Sequence, residues 1–428
     1  MSIRKYFHSN TLLSLFCMAG AFITYCSMYA FRKPFSAGVY EGLMVWGVDY
    51  KIVLIITQVI GYMLSKFIGI KVVSEMTPKR RVVVIFALMG IAWISLFLFG
   101  ATPYPYNFVW LFFNGLPLGM IWGLVFSFLE GRQNTELLGA GMSTSFIVAS
   151  GLVKSVGKYL VDSWHVSEFW MPFLTGLVFV PFLFIGVWML SNIPPPTEAD
   201  KAQRTERLPM QSHQRKAFFR EFATGIILMV LIFVALTIFR DIRDNFAVEI
   251  WTLLGYPDTT QILLTAEIPI AIAVFVIIAF MIFIKSNHVA FFSNIGIIML
   301  GGLLLILTTW LYEIKFLNPT IWMILVGFAM YLSYISYHTM LFERWIALFR
   351  YKSNIGFLMY IADAFGYLGS VGVLLYKNFG SGEVNWLKFI ISISYLTGGV
   401  ILVLGLFGWR YFNQKESVVN KGISKESF

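Results

Sequence analysis

The chain has 428 residues, of which 58% are hydrophobic and only 13% are charged. A soluble protein carries roughly 25% charged residues to cover its surface, so this composition excludes a soluble protein. We therefore expect an all-α, polytopic membrane protein whose apolar exterior is covered by the lipid bilayer.

A transmembrane helix needs about 20 largely apolar residues. Twelve segments of the chain meet this requirement, at residues 10–33, 50–70, 81–100, 106–129, 136–160, 168–191, 222–245, 259–284, 289–312, 319–342, 354–376 and 386–411. We number these spans first to twelfth in chain order.

The longest polar stretch of the chain, residues 192–220, contains three consecutive prolines and charges of both signs. Proline stops helices and favours extended linkers, so this stretch is predicted to be a cytoplasmic linker. It separates a predicted N-terminal six-helix bundle, residues 1–191, from a C-terminal six-helix bundle, residues 221–428.

The net charge of +10 is unevenly distributed along the chain. Most of the lysines and arginines fall in loops on the side of the membrane that also holds the two termini. By the positive-inside bias, both termini are predicted to be cytoplasmic, in a cell (plasma or inner) membrane. Since no basic–aromatic motif lies outside the spans, no nucleic-acid partner is expected.

Two arginines, Arg32 and Arg240, lie 208 positions apart near the ends of the first and seventh spans. Three identical pairs share this offset: Glu41 and Glu249, Thr57 and Thr265, and Ile60 and Ile268. A guanidinium inside a bilayer is costly and is seldom kept without a partner or a task. The repeat therefore predicts a central site for a small anionic solute, with one arginine from each half.

In the first span, Tyr25, Tyr29 and Arg32 share one helical face by their i, i+4, i+7 spacing. A guanidinium donates a planar fork of hydrogen bonds to phosphate or carboxylate, and phenol hydroxyls can add single bonds. All three are predicted to contact substrate. The alternative for Arg32 is snorkelling to the outer interface, and snorkelling is the favoured interpretation for Lys33.

In the seventh span, Arg240 shares a face with Asp244, and Asp241 and Arg243 lie beside them. Some of these charges are expected to neutralise one another. We predict that Arg240 contacts substrate, that Arg243 pairs with an acid, and that Asp244 couples protons or pairs charge.

Three further lysines lie within or at the ends of spans. Lys154, near the middle of the fifth span, is predicted to bind substrate. Lys66, at the end of the second span, either binds at the cytoplasmic mouth or snorkels. Lys158 is expected to snorkel outward, and substrate binding is its alternative.

Two acids also lie within spans. Glu267 precedes Pro269, where a broken helix could frame a cavity, and Asp363 shares a face with Tyr360. A buried carboxylate can relay protons or neutralise a nearby cation, and both roles stay open. Tyr360 is predicted to bind substrate.

On the tenth span, Tyr331, Tyr334 and His338 are spaced i, i+3, i+7. They form either a cavity wall that binds substrate through Tyr331 and His338, or a polar cluster between helices. The five histidines of the chain have no metal-ligand spacing, and no nucleophile–base motif stands out. Neither a metal, a cofactor nor an enzymatic activity is expected.

Short motifs along the whole chain resemble the organophosphate:phosphate antiporters of the major facilitator superfamily. They are Tyr29–Phe35, Ser65–Ile68, Asn114–Gly115, Gly119–Met120, Trp122, Trp164–His165, Met171–Pro172, Gly327–Phe328, Tyr331, Glu343 and Phe365–Gly369. The resemblance implies two pseudo-symmetric six-helix bundles, with phosphate held by Arg32 and Arg240 and assisted by Lys66. The family's fifth-helix histidine is replaced near Ser150, where Lys154 offers a charge instead.

The expected function is secondary active transport of an anionic solute by a monomer that works by alternating access. An organophosphate is the favoured substrate, in exchange for phosphate as the resemblance implies. One alternative is proton-coupled symport of a carboxylate solute such as a sugar acid, through Glu267 or Asp363. Another is a transport-inactive sensor of a phosphorylated metabolite.

Overall fold

The computed structural model describes residues 10–74, 76–77, 79–129, 132, 135–194, 212–281, 283–349, 355–380 and 385–426. Among these residues, twelve helical segments are long and apolar enough to cross a membrane. The predicted all-α architecture with twelve spans is therefore confirmed, and the chain is a multi-pass membrane protein.

Most spans are single helices. Their bounds are Asn10–Ala30, Tyr50–Ser74, Arg81–Ala101, Thr135–Trp164, Met171–Ser191, Ser212–Asn245, Asn287–Glu313, Ile355–Gly380 and Trp386–Glu426. The fourth, eighth and tenth spans are divided: Val109–Leu118 with Ile121–Leu129, Ile262–Thr265 with Glu267–Met281, and Pro319–Ser336 with the π-helix Tyr337–Leu341 and Phe342–Leu348. Shorter elements are Pro34–Ala37, Tyr106–Phe108 and Ala247–Leu253.

The break in the eighth span follows from its proline. Pro269 has no backbone N–H, so the carbonyl of Thr265 loses its usual helical partner. The two helices of this span meet at Ala266, just before Glu267. The helix is therefore interrupted just before an acid that lies two residues ahead of a proline.

A small β-hairpin lies between the first two spans. Strands Met44–Val45 and Val48–Asp49 pair antiparallel. Trp46 and Gly47 form the turn with φ of 53° and 76°, the backbone that two-residue hairpin turns require. The span analysis did not predict this hairpin, because a two-residue strand has no periodic signal.

Helix packing repeats between the two halves of the chain, spans one to six and spans seven to twelve. The first span packs on the fifth and sixth, and the seventh packs on the eleventh and twelfth. The fourth span packs on the second and third, as the tenth packs on the eighth and ninth. The halves meet where the second span contacts the eleventh and the fifth contacts the eighth.

Glycines allow the closest helix approaches. A Cβ at Gly115, in the fourth span, would lie 2.2 Å from the carbonyl oxygen of Gln58 in the second. A Cβ at Gly151, in the fifth span, would lie 2.2 Å from the carbonyl oxygen of Leu263 in the eighth. Any larger residue would separate these helices, so small residues set the distance both within a half and between halves.

The predicted linker, residues 192–220, lies largely outside the described residues, which omit 195–211. Its last part differs from the prediction, because the seventh helix begins at Ser212. Phe218 and Phe222 are buried one turn apart, with ring centroids 6.4 and 5.9 Å from that of Trp345. This aromatic packing stabilises the additional helical turns.

Candidate functional site

The first helix ends two residues before Arg32. Pro34 lacks an N–H and restricts the residue before it, so the helix cannot continue through this point. The N–H groups of Arg32 and Lys33 donate to the Tyr29 carbonyl at 3.0 and 2.8 Å, which forms one tight turn. Both cationic side chains therefore leave the backbone next to the last helical turn.

Two buried amides hold this helix end in place. Gln58 Nε2 donates to the carbonyl of Arg32 at 2.8 Å, and Asn114 Nδ2 donates to that of Phe31 at 2.8 Å. Gln58 Nε2 also donates to Asn114 Oδ1 at 2.7 Å. Carbonyls at a helix C-terminus have no intrahelical partner, so the two amides satisfy groups that would otherwise be orphaned.

Arg32 is buried without an acidic partner. Its side chain lies against aromatic rings, with the guanidinium carbon 3.7 Å from the Tyr62 ring centroid and 5.7 Å from that of Tyr367. Among the described residues, no carboxylate lies within ion-pair distance of it, and its Nε has no hydrogen-bond partner. Tyrosine rings attract a cation but do not neutralise it. Arg32 thus keeps an uncompensated positive charge.

Arg240 approaches the same tyrosine from the other half. Its guanidinium carbon lies 5.5 Å from the Tyr367 ring centroid and 4.5 Å from that of Tyr334. Its Nη2 donates to the Tyr367 hydroxyl at 3.4 Å and to Asp241 Oδ1 at 2.7 Å, and Nη1 donates to the Tyr334 hydroxyl. The two repeat-related arginines therefore converge on Tyr367.

Tyr25 and Tyr29 lie on the first helix, before Arg32. Both are buried, and their ring centroids are 5.6 Å apart in an edge-to-face arrangement. Tyr29 lies one helical turn before Arg32, whose backbone N–H donates to the Tyr29 carbonyl at 3.0 Å. The aromatic face predicted for the first span thus adjoins the helix end that carries Arg32.

Asp244 binds two lysines of the opposite half. Its Oδ2 lies 2.6 Å from Lys33 Nζ, and its Oδ1 lies 2.7 Å from Lys154 Nζ. Lys33 Nζ also donates to Asn245 Oδ1 at 2.8 Å, and the Ser150 hydroxyl donates to Asp244 Oδ1. Asp244 therefore pairs charge between the halves, and Lys154 already has an acidic partner.

The predicted snorkelling of Lys33 is wrong. The Lys33 side chain is only 6% exposed and binds Asp244. The turn before Pro34 directs it into the protein, where an acid is available, so extension to the headgroups would break an ion pair. Lys158 is more exposed, and it pairs with Asp162 at 3.2 Å, one turn along the same helix.

Lys66 and Asp363 link the second and eleventh spans at 2.9 Å. Lys66 is buried, which rules out snorkelling for it as well. His338 Nε2 lies 3.8 Å from Asp363 Oδ1, and among the described residues neither of its ring nitrogens has a hydrogen-bond partner. The ring centroid of Tyr360 lies 5.7 Å from Lys66 Nζ. Asp363 thus sits among several predicted ligands.

Glu267 forms an ion pair with Arg243 at 2.8 Å, as predicted for Arg243. Both side chains line a small polar cavity between the halves, together with Tyr331, Lys154 and Asp244. Tyr331 is therefore separated from Tyr334 and His338, which face Arg240 and Asp363. The three polar residues of the tenth span do not form one wall.

Several site residues were not predicted. Lys51 forms an ion pair with Glu249 across the halves. Two features of the sequence could have indicated this pair. Lys51 is the second residue of the second span, and Glu249 is the repeat partner of Glu41. For Tyr62 and Gln58 the sequence indicated no role in the site, since they are simply polar residues within a span.

The loop after Lys33 is fixed from outside the spans. Glu168 accepts the backbone N–H groups of Val39 and Tyr40 at 2.6 and 2.9 Å through its two oxygens. Burial raises the pKa of the Tyr40 phenol well above its usual range, and the nearby Glu168 charge adds to this shift. Tyr40 therefore stays neutral, and two hydrogen bonds attach the loop next to the site to the turn that precedes the sixth helix.

The cations and acids of this region form one group, which we call the central charge network. Its members are Arg32, Lys33, Lys51, Lys66, Lys154, Arg240, Arg243, Asp241, Asp244, Glu249, Glu267 and Asp363. No group of three His, Cys, Asp or Glu in the described part of the chain could hold a metal ion.

Solved transporter structures resemble this chain. A crystal structure of a D-xylose–proton symporter matches with a TM-score of 0.57 and 16% identity, over 94% of this chain and 98% of that one. A crystal structure of a mutant of the nucleoside transporter NupG matches with a TM-score of 0.61 and 14% identity, over 94% and 100%. These likenesses confirm the major facilitator fold.

A search of curated protein sequences gives no match. The profile of one protein family, described as "Family of unknown function (DUF5690)", matches residues 34–415. The match spans most of the chain and includes all members of the central charge network except Arg32 and Lys33. The chain therefore belongs to the DUF5690 family.

Proposed function

We propose that this protein is a secondary active transporter that moves an anionic small solute by alternating access. The single observation that carries the proposal is Arg32, a buried guanidinium with no acidic partner among the described residues. A buried charge without compensation is expensive unless a ligand supplies the opposite charge. The fold, shared with a sugar and a nucleoside transporter, adds support.

The favoured substrate is an organophosphate, bound between Arg32 and Arg240. Arg32 can donate two parallel hydrogen bonds to phosphate oxygens, and Arg240 can add one from the N–H of Nη1 that does not bind Tyr334. The Tyr367 ring that contacts both guanidinium groups keeps them close. In the empty site the charge of Arg32 is uncompensated, whereas Arg240 is paired with Asp241. A bound anion neutralises Arg32 and permits the halves to rock, which favours exchange with phosphate over net movement of the empty carrier.

The transporter lies in the cell membrane as a monomer, with both termini in the cytoplasm. The support for this orientation is the excess of Lys and Arg in loops on the side of the termini. Lys66, with Asp363, would then lie nearer the cytoplasmic mouth, and Lys33 and Lys51 nearer the outer end.

Counterflow in proteoliposomes tests the proposal. Vesicles are loaded with inorganic phosphate, and uptake of labelled organophosphates is measured for the wild type, Arg32→Gln and Arg240→Gln. Both variants are expected to lose exchange, because the anion loses a charged contact that it needs for binding. Arg410→Gln is the matched control, since Arg410 is an exposed arginine on the twelfth span, and it should retain wild-type exchange.

Retained exchange in both Arg32→Gln and Arg240→Gln would refute the proposal. Uptake of a carboxylate solute that depends on a pH gradient and is lost in Asp363→Asn would indicate proton symport instead. Binding of an organophosphate without any counterflow would indicate a sensor. Unfolding temperatures measured in detergent establish that each variant is folded.

A further inference from the structure

The central charge network is not electrically balanced. Seven of its members are cationic and five are acidic. His338 is counted as neutral, because the nearest carboxylate oxygen lies 3.8 Å away and no hydrogen bond joins them. The described residues of the network thus carry a net charge of two positive units at buried and half-buried positions.

Four pairs of the network are neutral by themselves. They are Lys51 with Glu249, Lys66 with Asp363, Arg240 with Asp241, and Arg243 with Glu267. The excess therefore has two definite locations. One positive charge belongs to Arg32, and the second belongs to Lys33 and Lys154, which share the single carboxylate of Asp244.

These two locations adjoin each other, since Arg32 and Lys33 are consecutive residues on one turn. The additional hydrogen bonds of the lysines go to neutral acceptors, namely Asn245 Oδ1 and the Asp244 carbonyl oxygen. Neutral acceptors solvate a cation but do not cancel its charge. A ligand that balances the site must therefore bring two negative charges.

We infer that the site is matched to a solute carrying two negative charges, and that the lysine pair on Asp244 selects for the second one. This inference rests on the proposed function and specifies its substrate class. Arg32 with Arg240 holds the anionic group, and the field of Lys33 and Lys154 favours its doubly charged form. A phosphate monoester meets this requirement above its second pKa of about 6, whereas a sulfate monoester keeps one charge.

A pair of esters with the same shape and different charge tests the inference. Binding of glycerol 3-phosphate and glycerol 3-sulfate to the purified full-length chain in detergent is measured by calorimetry, above the second pKa of the phosphate. The phosphate ester is expected to bind about tenfold more tightly or better, because an additional unit charge acts at close range in a medium of low polarity.

Charge variants test whether the lysine pair causes the preference for the phosphate ester. Lys154→Gln lowers the excess to one unit, so the ratio of the two affinities should fall several-fold, and Lys154→Arg should restore it. Lys158→Gln is the matched control, one turn along the same helix and paired with Asp162. It should leave the affinity ratio unchanged.

Equal wild-type affinities for the two esters would overturn the inference. If binding of both esters were still lost in Arg32→Gln, the proposed transport of anions would stand without it. A ratio that persists in a folded Lys154→Gln variant would also overturn the role of the lysine pair. Binding of neither ester would reject both this inference and the organophosphate substrate.

Discussion

Arg32 differs from Arg240 and Arg243 in what surrounds its guanidinium group. Arg243 has Glu267 at 2.8 Å and Arg240 has Asp241 at 2.7 Å, whereas Arg32 has the ring of Tyr62 at 3.7 Å. A cation over a ring gains roughly 0.5–2 kcal/mol and keeps its charge and its donors. The side chain is thus held in place while its charge remains available to a ligand.

The position of Arg32 depends on amides that never touch the proposed ligand. Asn114→Ala removes hydrogen bonds to the carbonyls of Phe31 and Ala92, at 2.8 and 3.0 Å. Leaving buried carbonyls unsatisfied costs about 1–3 kcal/mol, so the unfolding temperature should fall and the helix end should move. We expect weaker binding of an organophosphate, measured by calorimetry on the folded variant.

Asn192→Ala is the control for this substitution, because Asn192 donates to the Trp188 carbonyl at the far end of the sixth span. Its binding affinity should equal that of the wild type. If Asn114→Ala binds the anion as tightly as the wild type, the amide network does not position Arg32.

At the scale of elements, the contact between the fifth and eighth spans depends on a glycine opposite a broken helix. A Cβ at Gly151 would meet the Leu263 carbonyl oxygen at 2.2 Å and Glu267 Cγ at 3.1 Å. Both neighbours belong to the opposite half, and the backbone oxygen cannot rotate away. This contact therefore limits how closely the halves approach near the polar cavity.

Gly151→Ala is expected to lower the counterflow rate several-fold, because the halves can no longer reach this closed arrangement. Gly372→Ala provides the matched control, since a Cβ there meets nothing within 4 Å. Counterflow and unfolding temperature are measured for both variants. Equal rates in the two alanine variants would show that the close contact is not part of the transport cycle.

At the scale of the whole molecule, the central charge network joins the halves along the depth of the protein. Lys51 and Lys66 lie 15 residues apart on the second helix, which corresponds to about 22 Å at a rise of 1.5 Å per residue. Each of them pairs with an acid of the other half. In the proposed transport cycle, relative motion of the halves would break or exchange these ion pairs.

The interaction energy within the Lys66–Asp363 pair can be measured with single and double variants. Lys66→Met or Asp363→Leu alone leaves one buried charge unpaired, which costs roughly 3–5 kcal/mol, whereas the double variant leaves none. We expect the double variant to be more stable than either single variant in detergent unfolding experiments.

The partly exposed pair Lys158–Asp162 is the control, because such pairs contribute about 0–1 kcal/mol and show little coupling. Additive losses at Lys66 and Asp363 would mean that the two side chains do not stabilise each other in the membrane protein.

The sequence by itself determined the twelve spans, because entry of a helix into a bilayer depends on a local run of apolar residues. It also indicated Arg32 and Arg240 as candidate site residues, because each is a charge within an apolar run and the two occupy equivalent positions of the internal repeat. The two-stranded hairpin was beyond this reasoning, because a two-residue strand has no periodic signal. The start of the seventh helix at Ser212 was also beyond it, because packing of Phe218 and Phe222 on the distant Trp345 stabilises those turns.

Only the tertiary structure decided which charges are paired and which are not. Lys33 looked like a snorkelling lysine in sequence, yet it binds Asp244, 211 positions away. Tyr367 became the meeting point of both arginines only when the eleventh span packed against the second and seventh. Ion pairing depends on separations of a few ångströms between remote helices, and neither residue type nor spacing along the chain encodes those separations.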